Sequence, residues 1–217
     1  MAETNQLLID ELIRDGYLKS SWLIDAFKNI DRKNFVPREH RDEAYGNYPL
    51  PIGSGQTISQ PLTVAFMFEL LRPLPGEKIL DVGSGSGWTT ALLAQIVGAK
   101  GRIVSVERIP ELCKFGEDNV RKYNFIAKGI VKFFCGDGSK GIPSELLPRA
   151  GFDKVLAGAT AAGEVPVAWK EQLKIGGRIV APVGQSIVVL DKIGESKFET
   201  REHFGFSFVP LISDGSI

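Results

Sequence analysis

The sequence predicts an α/β fold: a mostly parallel central sheet, helices on both its faces, and an N-terminal helical extension. Three observations predict it. From residue 78 onward, short apolar runs alternate with helical patterns: KILDVG (78–83), TTALLAQIVG (89–98), RIVSVE (102–107) and PELCKFGEDNVRKYN (110–124). Such alternation gives right-handed crossovers and parallel strands. The first of these strands runs into Gly83, Gly85 and Gly87 before a helix begins. Finally, 43% apolar residues in a chain of 217 supply one sizeable core, which bounds the chain to a single domain.

The elements follow in order. Leu8 with Leu12 and Ile9 with Ile13 stand at helical spacing over residues 5–15, and Gly16 is a stop. Ser20 or Ser21 can cap a second helix, whose apolar face is read as Trp22, Leu23, Ala26, Phe27 and Ile30. Residues 34–61 then hold four prolines and three glycines. A loop of that length is ordered only if it has a function, and its Phe35, Tyr45, Tyr48, Leu50 and Ile52 are residues that a chain buries. LTVAFMFELLR after Pro61 reads as a helix. Further strands are IVKFFCGD (130–137), FDKVLAGA (152–159) and RIVAPVG (178–184), with a helix over 165–177 that ends at paired glycines. SIVVLDKIG and ETREHFGFSFVPL form a closing antiparallel pair. There are no repeats and no linker. The reading is one domain over 1–217, with helices and a long loop in 1–61 and an α/β core with C-terminal strands in 62–217.

Composition excludes several functions. Lysine plus arginine and aspartate plus glutamate both total 26, so the net charge is zero, and neither nucleic acid nor an anionic membrane is an expected partner. Two histidines and two cysteines leave little for a metal site or a cysteine–histidine pair, and no metal is expected. Cys113 and Cys135 sit among apolar neighbours and are expected to pack, reduced, in the core. The N-terminus carries early acids and no long apolar stretch, unlike a secretory signal, and no window reaches the ~18 apolar residues of a membrane span. A soluble, cytoplasmic monomer is expected.

In open parallel sheets ligands bind beyond the carboxyl ends of the strands. That rule selects residues 81–87, Glu107, 136–138 and 158–163. The turn reads G-x-G-x-G, with Trp88 where a dinucleotide fingerprint has its third glycine, and no phosphate-loop lysine follows. It therefore suits a ligand without a pyrophosphate. Glu107, at the end of the second core strand, can accept two ribose hydroxyls, and Asp137 can accept from an adenine amino group. An adenosine-bearing ligand without phosphates fits all three positions.

Pro49-Leu50-Pro51-Ile52-Gly53, Gly55-Gln56-Thr57-Ile58-Ser59-Gln60-Pro61, Ser105-Val106-Glu107-Arg108, Gly136-Asp137-Gly138 and Phe208-Val209-Pro210-Leu211 resemble, in this order, the signature of protein-L-isoaspartate O-methyltransferases. The likeness runs from about residue 7 to 212, and the G-Q-T-I-S-Q-P string is its most specific part. It implies a Rossmann-like class I methyltransferase fold, with the order of the last strands left open. It also implies S-adenosyl-L-methionine as cofactor and, as substrate, the α-carboxylate of L-isoaspartyl residues in damaged proteins or peptides. Ser59 then matches the active-site serine, assigned to orienting the substrate carboxylate. The same position could instead cap the helix after Pro61. Gln56, Thr57 and Ile58 match a stretch that lines both pockets. Asp81 and Gly83 match the methionine end, and Ser84 and Gly85 of the same turn also match cofactor-binding positions. Glu107 matches the ribose site, and Asp137 with Gly138 the adenine site. Val209 and Leu211 match a segment against the substrate peptide, or pack as an edge strand.

Two segments depart from that pattern. Residues 62–64 are Leu, Thr and Val where some members carry a histidine. Residues 157–166 are longer and richer in glycine than the family's T-A-A and proline run at the substrate mouth. The runner-up reading is a related methyltransferase acting on an aspartate carboxylate of a specific peptide. A non-catalytic S-adenosylmethionine-binding module would have lost Ser59 or Glu107, and both are present. A nucleic-acid amino-methyltransferase lacks its N/D-P-P-[YF] string, and a nicotinamide enzyme lacks its glycine spacing and a proton donor.

Overall fold

The computed structural model describes residues 3–161 and 163–211. Helix α1 (Asn5–Arg14) starts at Thr4, whose hydroxyl oxygen accepts the Leu7 N–H at 3.2 Å. It buries Leu8, Ile9 and Leu12, while Ile13 stays exposed. Helix α2 (Ser21–Asn29) turns Leu23, Ala26, Phe27 and the following Ile30 inward, one stripe at the spacing i, i+3, i+4, i+7. Trp22, expected on that stripe, is 43% exposed. One residue ahead of Leu23, it lies about 100° around the helix. Neither serine caps through its side chain; the Ser20 hydroxyl instead donates to Glu69 at 2.7 Å.

The long stretch before Pro61 is ordered, and it is less irregular than its prolines suggest. Two 3-10 turns (Arg32–Phe35 and Arg38–Glu43) lead into an antiparallel hairpin of β1 (Leu50–Gly53) and β2 (Gln56–Ile58). Ser54 and Gly55 close it with φ of 50° and 70°, the doubly left-handed turn that matches strand twist. Phe35, Leu50 and Ile52 are buried, and Tyr45 and Tyr48 half-buried. Helix α3 (Pro61–Leu71) follows.

The core then alternates as β3 (Lys78–Val82), α4 (Trp88–Val97), β4 (Arg102–Glu107), α5 (Pro110–Arg121), β5 (Val131–Cys135), β6 (Phe152–Ala157), α6 (Val167–Gln172), β7 (Leu173–Val183), β8 (Ser186–Lys192) and β9 (Phe198–Phe204). The sheet order is β5-β4-β3-β6-β7-β8-β9. Its first five strands are parallel, and β8 and β9 close it antiparallel. The chain moves outward from β3 to β5 and returns to the other side of β3 at β6, which puts the switch in strand order beside β3. One apolar layer joins α1 and α2 to α3 and α4, with Phe27 edge-on to Phe68 and to Trp88 at 6.4 and 5.6 Å. The opposite layer centres on Phe152, Trp169 and Val106.

Three expectations are corrected. The helix over 165–177 shrinks to the six residues of α6. Phe152 pairs with Leu173 and Lys154 with Arg178, so residues 174–177 bulge from β7 rather than extend the helix. Cys113 is buried on α5, but Cys135 is exposed, because β5 is the sheet's edge strand. The closing strand stops at Phe204. Beyond it, Thr160 receives the tail: its N–H donates to the Val209 carbonyl at 2.9 Å and its carbonyl accepts from Leu211 at 2.8 Å. Ala162 of the glycine-rich segment and residues 212–217 of the core lie outside the described residues.

Helix α5 meets the glycine turn through Gly116, where an added Cβ would stand 2.7 Å from the Gly85 carbonyl oxygen and 3.2 Å from the Gly87 nitrogen. Alanine is favoured over glycine in a helix by about 0.5–1 kcal/mol, whereas overpacking costs about 1–3 kcal/mol. Here the obstacle is backbone and cannot swing away. Gly116→Ala is therefore expected to lose about 1–2 kcal/mol in urea unfolding; a gain would mean that the turn yields freely.

Candidate active site

A cleft of about 350 Å³ opens at the carboxyl ends of β3, β4 and β6, beneath the hairpin. Its floor is the turn after β3. Gly83 and Ser84 both donate to the Val106 carbonyl, at 2.8 and 3.1 Å, and Gly158 donates to Val82 at 2.8 Å. These bonds pin the turn to strands on either side. Gly83, Ser84 and Gly85 all face the cleft. The Ser84 hydroxyl is buried without a hydrogen-bond partner, a cost that a ligand with a polar end relieves.

Glu107 also lines the cleft and is 7% exposed. One carboxylate oxygen accepts the Gly85 N–H and the other the Ile109 N–H, both at 2.9 Å. Each oxygen keeps a lone pair for a ligand hydroxyl. Gly138 forms the adjoining wall, where a Cβ would come within 2.6 Å of Val82 Cγ1.

Asp137 and Asp81 both accept from neighbouring hydroxyls. Asp137 is absent from the cleft wall: its Oδ1 accepts from the Ser139 N–H and hydroxyl at 2.9 and 2.6 Å and caps the next 3-10 turn. Asp81 lies under the turn, where its Oδ2 accepts the Thr89 and Thr90 hydroxyls at 2.9 and 2.6 Å. Thr90 in turn meets the Ser105 hydroxyl at 3.0 Å. Of this group only Thr89 reaches the cleft.

The hairpin supplies the roof, with Ile52, Gln56, Thr57, Ile58 and Ser59 facing down. Ser59 does not cap α3, because Asn47 Oδ1 accepts the Leu62 N–H at 3.0 Å in that role. Among the described residues none hydrogen-bonds the Ser59 hydroxyl, and neither histidine lines the cleft. His40 approaches Glu43 at 3.4 Å, and His203 stacks edge-on against Phe66. Val209 and Leu211 close the remaining side, beside Ala159. Sequence reasoning missed Arg108 and Ile109 in the wall, although both follow Glu107 directly. Among the described residues no cluster of three or more metal-ligating side chains occurs, and no helix is long and apolar enough to cross a membrane.

Fold and cleft together are those of a Rossmann-like methyltransferase. A solved structure from Plasmodium falciparum, provisionally named a protein-L-isoaspartate O-methyltransferase and bound to S-adenosyl-L-homocysteine, superposes with a TM-score of 0.85 at 23% identity, covering 99% of this chain and all of that one. The Methanopyrus kandleri protein-L-isoaspartate O-methyltransferase is 44% identical over 211 residues, 95% of this chain and 90% of its own length. That of Ignicoccus hospitalis is 40% identical over 99% of this chain and all of its own. The family model of protein-L-isoaspartate (D-aspartate) O-methyltransferases matches residues 3–216, and the chain belongs to that family.

Complete burial pushes the Asp81 carboxyl up from 3.8 to about 6, against the two threonine hydroxyls that favour its ionised form. An acid whose folded pKa lies above its unfolded value loses stability as pH rises between the two. Its contribution is thus intact below 3.8 and diminished above about 6. Asn keeps an acceptor oxygen but does not titrate. The thermal midpoint of Asp81→Asn should gain on that of the parent from about pH 4 to 6 and then hold level. A difference constant across that range would remove Asp81 as the titrating group.

Proposed function

We propose that the protein transfers a methyl group from S-adenosylmethionine to the α-carboxylate of L-isoaspartyl residues in damaged proteins and peptides. The ester then cyclises to a succinimide that hydrolyses partly to aspartate. One observation carries the reading: the string from Gly55 to Pro61 suspends Ser59 over the cleft that also holds Ser84 and Glu107. The residues fit the cofactor. Glu107 has acceptors for the ribose hydroxyls, Gly138 lines the same cleft, and the unpartnered Ser84 hydroxyl suits the methionine end. When bound, S-adenosylmethionine supplies an electrophilic methyl on a sulfonium sulfur.

The chain's own tasks are then few. A substrate carboxylate is ionised at pH 7, so no base is required, in keeping with a cleft that neither histidine touches. The Ser59 hydroxyl donates to that carboxylate and aims its other oxygen, a contribution of orientation. Charge is lost on the way to the transition state, so the apolar roof at Ile52 and Ile58 helps by excluding water. Asp81, through Thr89, holds the entry to α4 under the cofactor. Val209 and Leu211, fixed against Thr160, offer an edge to the peptide. We read the chain as one domain, because α1 and α2 share an apolar layer with α3 and α4. We place it in the cytoplasm, where its two unbridged cysteines stay reduced.

The test uses labelled S-adenosylmethionine and paired peptides that differ only in L-isoaspartate or L-aspartate. Base-labile label is expected on the isoaspartyl peptide alone. A hydrogen bond to a charged group contributes about 1.5–3 kcal/mol, so Ser59→Ala should lower kcat/KM by about 10- to 100-fold with cofactor affinity unchanged. Cofactor binding without transfer to either peptide would refute the assignment. Glu107→Gln should weaken S-adenosylhomocysteine by at least about tenfold in calorimetry, since the charged acceptor of the ribose is lost. An unchanged affinity would place the ribose elsewhere.

A further inference from the structure

Arg32 is fully buried, with 0% exposure, and makes no ion pair among the described residues. Its guanidinium serves backbone carbonyls instead. Nη1 donates to Ala44 at 2.6 Å and, weakly, to Gly46 at 3.4 Å, and Nη2 donates to Tyr48 and to Ser59, both at 3.1 Å. The carbon of the fork lies 5.4 Å over the Trp88 ring, within cation–π range. Nε is left without a partner. Burial pulls the group down to about 9, still charged at neutral pH.

A buried cation without a counter-ion is an expensive way to fill space, and apolar residues of similar volume are often as stabilising or more so. What an apolar side chain cannot do is gather carbonyls. Those gripped here come from both flanks of the hairpin: residues 44–48 precede β1, and Ser59 follows β2. Only a planar, many-donor group reaches both at once; a lysine ammonium is a point donor. Fixing the Ser59 carbonyl restrains its peptide plane and so places its Cα and the Cα–Cβ bond from which the hydroxyl reaches the cleft. Trp88, on the other side of the cation, lines the cleft and is the first residue of α4.

We propose that Arg32 is the positioning residue of the methyl-transfer site: by gripping the carbonyls of Ala44, Tyr48 and Ser59 over Trp88, it sets the Ser59 hydroxyl against the cofactor turn. This rests on the reading of Ser59 as the group that holds the substrate carboxylate. Arg32 itself touches neither substrate nor cofactor, so its effect must pass through Ser59.

A double-mutant cycle separates positioning from general damage. Parent, Arg32→Lys, Ser59→Ala and the double variant are compared for kcat and KM on an isoaspartyl peptide, for S-adenosylhomocysteine affinity and for thermal midpoint. Arg32→Lys is expected to bind S-adenosylhomocysteine within about twofold of the parent yet to lose at least about tenfold in kcat/KM. Ser59→Ala, costly in the parent, should cost less than about threefold in the Arg32→Lys background. Full multiplication of the two losses, or a loss that tracks cofactor affinity, overturns the proposal. Should Arg32→Lys not fold, Arg32→Met, which restores apolar packing without the donors, replaces it in the same cycle. If Ser59→Ala alone leaves turnover intact, the Ser59 reading fails first, visibly and without any Arg32 variant, and the positioning role fails with it.

Discussion

Between Gly83 and Gly87 the chain must leave a buried strand, turn, and enter a helix while another helix presses on it from behind. The approach of α5 leaves no room for a side chain on either surface, since Gly87 and Gly116 would each drive a Cβ to within 2.8 Å of backbone across the contact. Glu107 closes the arrangement from the front by accepting the Gly85 amide. Every later feature follows from this packing. It fixes where α4 begins, and therefore where Trp88 stands. It leaves the Ser84 hydroxyl buried and unpartnered, and it commits one acidic side chain to the cleft. The site is thus a by-product of how strand, turn and two helices must fit.

The hairpin is built on different physics. Its two short strands turn Leu50, Ile52 and Ile58 into the core, but two-stranded ribbons are marginal in water without further support. It is held by polar fastenings: the Arg32 fork, Asn47 at the start of α3, and Tyr45, which donates to Asp31 at 3.0 Å. A rigid floor and a fastened roof face each other, which suits a reaction that asks mainly for alignment. The scarcity of histidine, which first excluded many chemistries, is consistent with that demand.

Much of this was legible before any coordinates. RIVSVE gave its strand to the residue, because a run buried on both faces reads the same from either side. The glycine spacing gave the turn, because absent Cβ atoms are visible in a sequence. The failures share a cause. Residue type turns Trp22 and Cys135 inward, but exposure depends on which neighbour covers a position, as the edge place of β5 shows. Asp81 and Asp137 sit at the strand ends where ligands bind, and one oxygen of each accepts from nearby hydroxyls, which the sequence does not announce. The hairpin was obscured by prolines that sit at its rim. Arg32 was invisible for a plainer reason: its partners are peptide carbonyls, which every residue carries, so no complementary side chain announces it.

The two walls of the cleft are held unequally. Lifting the hairpin separates a buried cation from carbonyl dipoles, and hydrogen bonds to charged groups contribute about 1.5–3 kcal/mol each against about 1 kcal/mol for neutral ones. It also strands the guanidinium further, since Nε already lacks a partner. The opposite wall is held by two neutral backbone bonds between Thr160 and the tail at Val209 and Leu211, by the Phe206 N–H donating to the Gln185 carbonyl at 3.2 Å, and by Phe206 stacked on Phe66 at 5.1 Å. Residues 206–211 belong to no strand, so no ladder reinforces those bonds. The hairpin that carries Ser59 is thus fastened by a charged fork, and the tail by neutral backbone bonds and ring packing.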